Sequence, residues 1–326
     1  MDKADHPTET EPSGEISDLF MIIDAHSHWL PEEITSNAHF FSKAWGDIEG
    51  QLEAMQKAGV DRAVLSYPTS DAHLRIGGQK KVAKIYNERV AAICKANPES
   101  FIGAAILPVD DEVAMLEEFK RATDNLGFRA ISLATSSGGI FLDDKRYEAL
   151  YEEAEKYHVP IFIHSQIIKP LGSAEVEDPL LTPVIEYIFE TTMCVGKLLM
   201  AGAFERFKNL KFIFAYFGGV TPFIAGRYDA TYTMLRNINF VKDLKNLPSQ
   251  YLKRIYVDTS GDKTLANFIS SLELFGPAHI LWGSDYPAKQ DIKSSQAVLD
   301  QLSLSVQDKE NILGGNLEQI FKEVKL

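Results

Sequence analysis

The chain has 326 residues, 45% hydrophobic and 24% charged, with a formal net charge of −13. That composition is ordinary for a globular protein with a sizeable core, and the acidic balance argues against the broad basic surface that nucleic-acid binders present. With no long uninterrupted apolar span to cross a membrane, the expected partner is a small molecule, with neither nucleic acid nor membrane.

Residues 1–19 are polar and acidic and read as a disordered leader without the basic and apolar regions of a signal peptide. Residues 20–326 are expected to form a single domain that opens abruptly at the apolar run from Phe20 and Met21. Short apolar, β-branched or aromatic runs recur at Phe20–Asp24, Arg62–Tyr67, Phe101–Leu107, Phe128–Leu133, Pro160–His164, Lys211–Tyr216, Arg254–Asp258 and His279–Ser284. Between them, helical periodicity covers Ile48–Ala58, Lys80–Ala96, Val113–Asn125, Tyr147–Tyr157, Val184–Phe207 and Lys263–Leu274. Gly59, Gly127, Gly202 and Gly276 stand near the ends of helical segments, where a left-handed residue stops a helix. Strands alternating with helices require a parallel sheet, because parallel neighbours need a crossover connection. Eight such units predict a closed (β/α)8 TIM barrel, with an open doubly wound sheet as the alternative. The glycine pairs at 77–78, 138–139 and 218–219 lack the remaining positions of a dinucleotide or phosphate-loop fingerprint. Cys94 and Cys194 lie far apart within helical segments, which suits reduced thiols in a cytoplasmic protein.

The first strand candidate ends in His26-Ser-His28. Side chains at i and i+2 on a strand share a face, so both imidazoles can reach one ion. His164 ends the fifth strand candidate and Asp285 follows the eighth. In a barrel of this kind functional groups gather at the C-terminal ends of the strands, so these four residues would meet at one mouth. Three imidazoles and a carboxylate suit one catalytic divalent metal, zinc first and manganese second. The competing reading makes His164 a hydrogen-bonded barrel histidine and Asp285 a helix cap. His73 and Arg75, after the second strand, are candidates to line the mouth, and Trp29 and Phe141, after the first and fourth, to wall an apolar pocket for a planar substrate. His158 and His279 fall at the opposite end of the barrel and read as structural.

Several segments in order carry a resemblance: Asp24-x-His26-x-His28-x-x-Pro31, Ile163-His164, Glu190-Thr-Thr192, Gly202-x-Phe-Glu-Arg206, Gly218-Gly219-x-x-Pro222 and Gly283-Ser-Asp285-Tyr-Pro287. From about Met21 to the C-terminus the chain resembles the amidohydrolase-related metal-dependent barrels. It looks closest to the branch with aminocarboxymuconate-semialdehyde decarboxylase and the γ-resorcylate-type decarboxylases. The resemblance implies one metal on His26, His28, His164 and Asp285, and non-oxidative decarboxylation of a small carboxylated aromatic or dienoate compound. Metal-dependent hydrolysis of a lactone, amide or related bond is the alternative. Asp285 would then also exchange a proton with the substrate. Arg227 matches an arginine that such decarboxylases present to a substrate carboxylate, often from the neighbouring subunit, which implies a homodimer or dimer-based oligomer. One departure stands out: Tyr216 occupies a position where the family usually carries histidine. A phenol titrates near ~10 and an imidazole near ~6.5, so tyrosine is a poor base but a serviceable hydrogen-bond donor. The same substitution motivates a third reading, a catalytically impaired barrel that binds metal or ligand without turnover.

Overall fold

The computed structural model describes residues 20–174, 178–241, 243–261 and 263–326. The expected leader, 1–19, lies outside the described residues.

Strands β1 (Ile23–His28), β2 (Arg62–Ser66), β3 (Phe101–Ala105) and β4 (Ala130–Ala134) run parallel, and a small antiparallel hairpin, β5 (Ser136–Ser137) and β6 (Ile140–Phe141), follows β4. The sheet continues through β7 (Ile161–His164), β8 (Phe212–Phe214), β9 (Tyr256–Asp258) and β10 (Ile280–Leu281) in the order β1-β2-β3-β4-β7-β8-β9-β10. Hydrogen bonds then close the circle. Ala25 N donates to Trp282 O at 2.8 Å, Asp285 N to His26 O at 2.8 Å and His28 N to Tyr286 O at 2.8 Å. The predicted (β/α)8 barrel is therefore the observed fold, and the open sheet is ruled out.

Helices α1 (Ile48–Ala58), α2 (Gln79–Ala96), α3 (Glu112–Lys120), α4 (Glu148–Tyr157), α5 (Tyr187–Met200), α6 (Thr221–Asn237) and α7 (Leu265–Phe275) cross between strands. α1 shows how local chemistry sets such limits. Asp47 caps its first turn by accepting from Gly50 N, and Gly59 ends it at φ 68°, a left-handed conformation that costs glycine nothing. The inner helix faces supply Tyr86 and Val90, Met115 and Phe119, Leu150 and Tyr151, and Val195 and Leu198, all buried. Each such side chain contributes about 1.5–3 kcal/mol when removed from water.

Several predicted elements are shorter than the sequence suggests: the strand expected over His279–Ser284 is reduced to Ile280–Leu281, and two others show why. The strand expected over Lys211–Tyr216 stops at Phe214, because Tyr216 and Phe217 take φ of 58° and 56° and leave the extended ladder. The helix expected over Val184–Phe207 breaks into a wide turn at Thr182–Glu186, α5, and a short turn at Ala203–Arg206 that begins at Gly202, φ 77°. The β5–β6 hairpin was not anticipated, since two-residue strands are too short to show a period.

Candidate metal centre and substrate cavity

β1 brings both of its histidines to the barrel mouth, and its pairing with β2 slips register between Asp24 and Ser27. His26 Nε2 and His28 Nε2 end 3.0 Å apart. β7 contributes His164, and a nitrogen from each of the three rings lies within 4.8 Å of the others. Asp285, held at φ 68° in the turn after β10, places Oδ1 3.5 Å from His28 Nε2 and 3.7 Å from His26 Nε2. All four residues are buried.

The opposite ring nitrogens are already engaged. His26 Nδ1 meets Asp258 Oδ2 at 2.7 Å, His28 Nδ1 meets Ser66 O at 3.1 Å, and His164 Nδ1 meets Ser165 O at 2.8 Å. When Nδ1–H donates to an oxygen, the Nε2 lone pair is left for a metal, and this outer contact also fixes the ring's orientation. The donor set therefore fits one divalent cation.

Electrostatics agree. Burial, reinforced by the neighbouring rings of His28 and His26, pushes His164 down to about 3, so its ring is neutral. Burial likewise lowers His28. Burial disfavours charge on His26 too, but the Asp258 carboxylate beside it overcomes this and raises its pKa. Asp258 is itself held below the usual carboxylate range, against its own burial, by His26 and Ser260. Asp285 is held at about 2 against burial by His28, His26 and His164. Asp24 is different: burial pushes it up to about 6 although Ser284 donates to it from both side chain and backbone.

A cavity of about 560 Å³ opens above this cluster, with His28, His164, Asp285 and Tyr216 on its lining. Its walls include Phe41, Trp45, Tyr187, Phe217 and Phe223, and Lys289 is its cationic side chain. Trp45 stacks on His28 with ring centres 5.8 Å apart and planes inclined by 21°. Tyr216 Oη lies 3.1 Å from His164 Nε2. Burial and the nearby Asp285 carboxylate push that phenol well above its ordinary value, so it keeps its proton.

Of the residues singled out in the sequence, the fold thus gathers His26, His28, His164, Asp285 and Tyr216. Trp29, His73, Phe141 and Arg227 do not line the cavity. Trp29 is buried in the hydrophobic core, and Trp45, delivered by the segment that follows, takes the wall position expected of it. His73 opens a helical turn, holds Ser70 O with Nδ1 at 3.2 Å, and faces a separate cleft of about 100 Å³. Phe141, on β6, lies beneath the Lys197 ammonium, 5.5 Å from the ring centre. Arg227 is exposed on α6.

Sequence reasoning passed over Asp258, Trp45, Lys289 and the half-buried Lys263. Asp258 ends the seventh strand candidate, so the rule that found His164 would have found it as well. Lys263, which burial and then the charge of Lys289 lower to about 8, stood only as the first residue of an expected helical segment.

The amidohydrolase family profile matches residues 23–322. The chain belongs to the amidohydrolase family. One relative within reach is the 2-amino-3-carboxymuconate-6-semialdehyde decarboxylase of Dictyostelium discoideum, 28% identical over 279 residues that cover 84% of this chain and 76% of the relative. Another is the γ-resorcylate decarboxylase of Rhodococcus jostii, 24% identical over 90% of this chain and 95% of the relative. Among solved structures, a dihydroxybenzoic acid decarboxylase from a Polaromonas species, with bound manganese and the inhibitor 2-nitroresorcinol, superposes with a TM-score of 0.79. That match is 22% identical and covers 93% of this chain and 97% of the other. Among the described residues no helix is long and apolar enough to cross a membrane.

Proposed function

We propose that the protein is a metal-dependent non-oxidative decarboxylase of a small carboxylated aromatic or dienoate compound. The observation that carries this reading is the convergence of three imidazole nitrogens and Asp285 beneath a ring-lined cavity. His26, His28, His164 and Asp285 would hold the cation. When bound, a divalent metal supplies a Lewis acid for the oxygens of a carboxylate and an adjacent hydroxyl or keto group. Zinc suits three imidazoles and a carboxylate, and the manganese of the Polaromonas relative makes manganese the second candidate.

Around it, the chain's own groups have separable tasks. The aromatic walls exclude water and orient a planar ring. Tyr216 donates a hydrogen bond to a substrate oxygen, because its phenol stays protonated. Asp285, buried at the mouth and ionised at rest, first takes the proton of the substrate hydroxyl or carboxyl group and then delivers it to the ring carbon as carbon dioxide leaves. Lys289 offers positive charge on the cavity wall. Arg227, exposed on α6 and absent from the cavity lining, would serve a substrate carboxylate from a second copy of the chain. Exposed Val184, Ile185, Phe189, Met193 and Phe223 support such a dimer. Two unpaired cysteines support a cytoplasmic setting. Neither hydrolysis nor an impaired barrel is favoured, since the relatives named above are decarboxylases.

The test is release of carbon dioxide from salicylate- and resorcylate-like acids by protein loaded with zinc or manganese. Turnover is expected, falling on the order of 10² in kcat for Tyr216→Phe. Absence of turnover across a broad panel of such acids would sink the reading.

A further inference from the structure

The segment from Asn37 to Trp45 forms one aromatic wall of the cavity, with Phe40 at the rim and Phe41 and Trp45 further in. Phe41 and Trp45 meet edge to face, 4.7 Å apart, and Trp45 lies over His28. The base of the segment is tied to the barrel by Leu30 N donating to Trp45 O at 2.8 Å. Its tip is strained and exposed. Phe40 adopts φ 75° and leaves 86% of its surface in water. A bulky side chain in that left-handed region is strained and persists only where neighbours impose it.

The neighbours that impose it come from the loop after β2. Asp71 Oδ1 accepts from His39 N at 2.9 Å, and Oδ2 pairs with His39 Nδ1 at 2.6 Å. Arg75 Nη1 reaches both Asp71 Oδ2 at 2.9 Å and Asn37 O at 2.8 Å. The carboxylate therefore grips the residue immediately before the strained one, by backbone and side chain at once. The Asp71 side chain is only 8% exposed, whereas His39 and Arg75 reach it from the surface with 64% and 40% of their side chains in water. The loop that presents Asp71 is itself braced, because Thr69 Oγ1 accepts from Ile167 N at 3.2 Å beyond β7.

We propose that Asp71 and Arg75 are positioning residues that clip the aromatic flap Asn37–Trp45 over the cavity and so set its affinity for planar ring acids. Neither touches the metal ligands. The ring-acid part rests on the decarboxylase reading above, whereas the clip itself does not. Without the clip, the strained tip relaxes, Trp45 leaves His28, and the wall that would stack on a ring is lost.

Tryptophan fluorescence reads the clip without turnover. Trp29 and Trp282 are buried, so half-buried Trp45 dominates quenching by acrylamide. In metal-loaded protein, Asp71→Ala and Arg75→Gln are each expected to raise the quenching constant about twofold. They should also weaken binding of 2-nitroresorcinol, used as a non-reacting ring probe, about tenfold by calorimetry. Where turnover is measurable, the loss should fall on KM more than on kcat. Thermal unfolding identifies any variant that has failed to fold, and Arg75→Gln then decides alone. Wild-type quenching in both folded variants would overturn the clip. Raised quenching with unchanged probe affinity would keep the clip but overturn its role in ring recognition. Absence of turnover with both shifts present would count against the decarboxylase reading and leave the clip standing.

Discussion

Asp258 Oδ2 lies 2.7 Å from His26 Nδ1, and both groups are buried. The contact reaches past β10, from the end of β9 to β1, and is the one made by a carboxylate among the three outer contacts to the histidine cluster. Asp258→Asn keeps an acceptor but removes the charge that favours proton retention on Nδ1 and strengthens Nε2 as a donor. Metal affinity is expected to fall by about 10–100-fold, measured by competition with a chromophoric chelator while circular dichroism confirms the fold. Unaltered affinity would show that the carboxylate has no part in holding the ligand.

Gly283 backs onto the same histidine. A Cβ built there would stand 2.6 Å from His26 Cβ and 3.3 Å from His26 N. β1 and the turn after β10 are held together at this level by backbone bonds, so neither can yield without disturbing closure. Gly283→Ala is expected to lower stability by about 1–3 kcal/mol and to weaken metal binding with it. Chemical unfolding and the same chelator competition measure the two effects, and an unchanged pair of values would contradict the close approach.

The clip on the flap has a pH signature of its own. Burial would raise the Asp71 carboxyl, but His39 and Arg75 prevail and hold it at about 2, below its ordinary 3.8. A group depressed in the folded state stabilises fully above its unfolded value and loses that contribution as pH falls through its folded value. Asp71 should therefore stabilise the fold at neutral pH, by less than the full shift implies because His39 and Arg75 are largely exposed, and lose that contribution between about pH 4 and pH 2. Urea unfolding of wild type and Asp71→Asn, both metal-free, should show a gap at pH 7 that narrows toward pH 2. A gap independent of pH would exclude this origin.

The sequence determined the repeat and the chemistry of the candidate ligands. Eight apolar runs separated by helical periodicity permit a parallel closed sheet, and His26, His28, His164 and Asp285 stand at strand ends because that is where a barrel exposes side chains to a ligand. Such signals are local, or recur with a period, and so survive in one dimension. Tertiary structure decided what surrounds those ligands. Asp258 and His26 are 232 residues apart, and their pairing exists only because closure sets the end of β9 one strand from β1, across β10. Trp45 takes the wall position expected of Trp29 because the Asn37–Trp45 segment folds back over His28, held by Asp71 from another loop. Backbone turns at Tyr216 and Asp285, with φ of 58° and 68°, aim both side chains at the histidines against their own local preference. Spacing cannot encode contacts of this kind, since each is imposed by a neighbour remote in the chain.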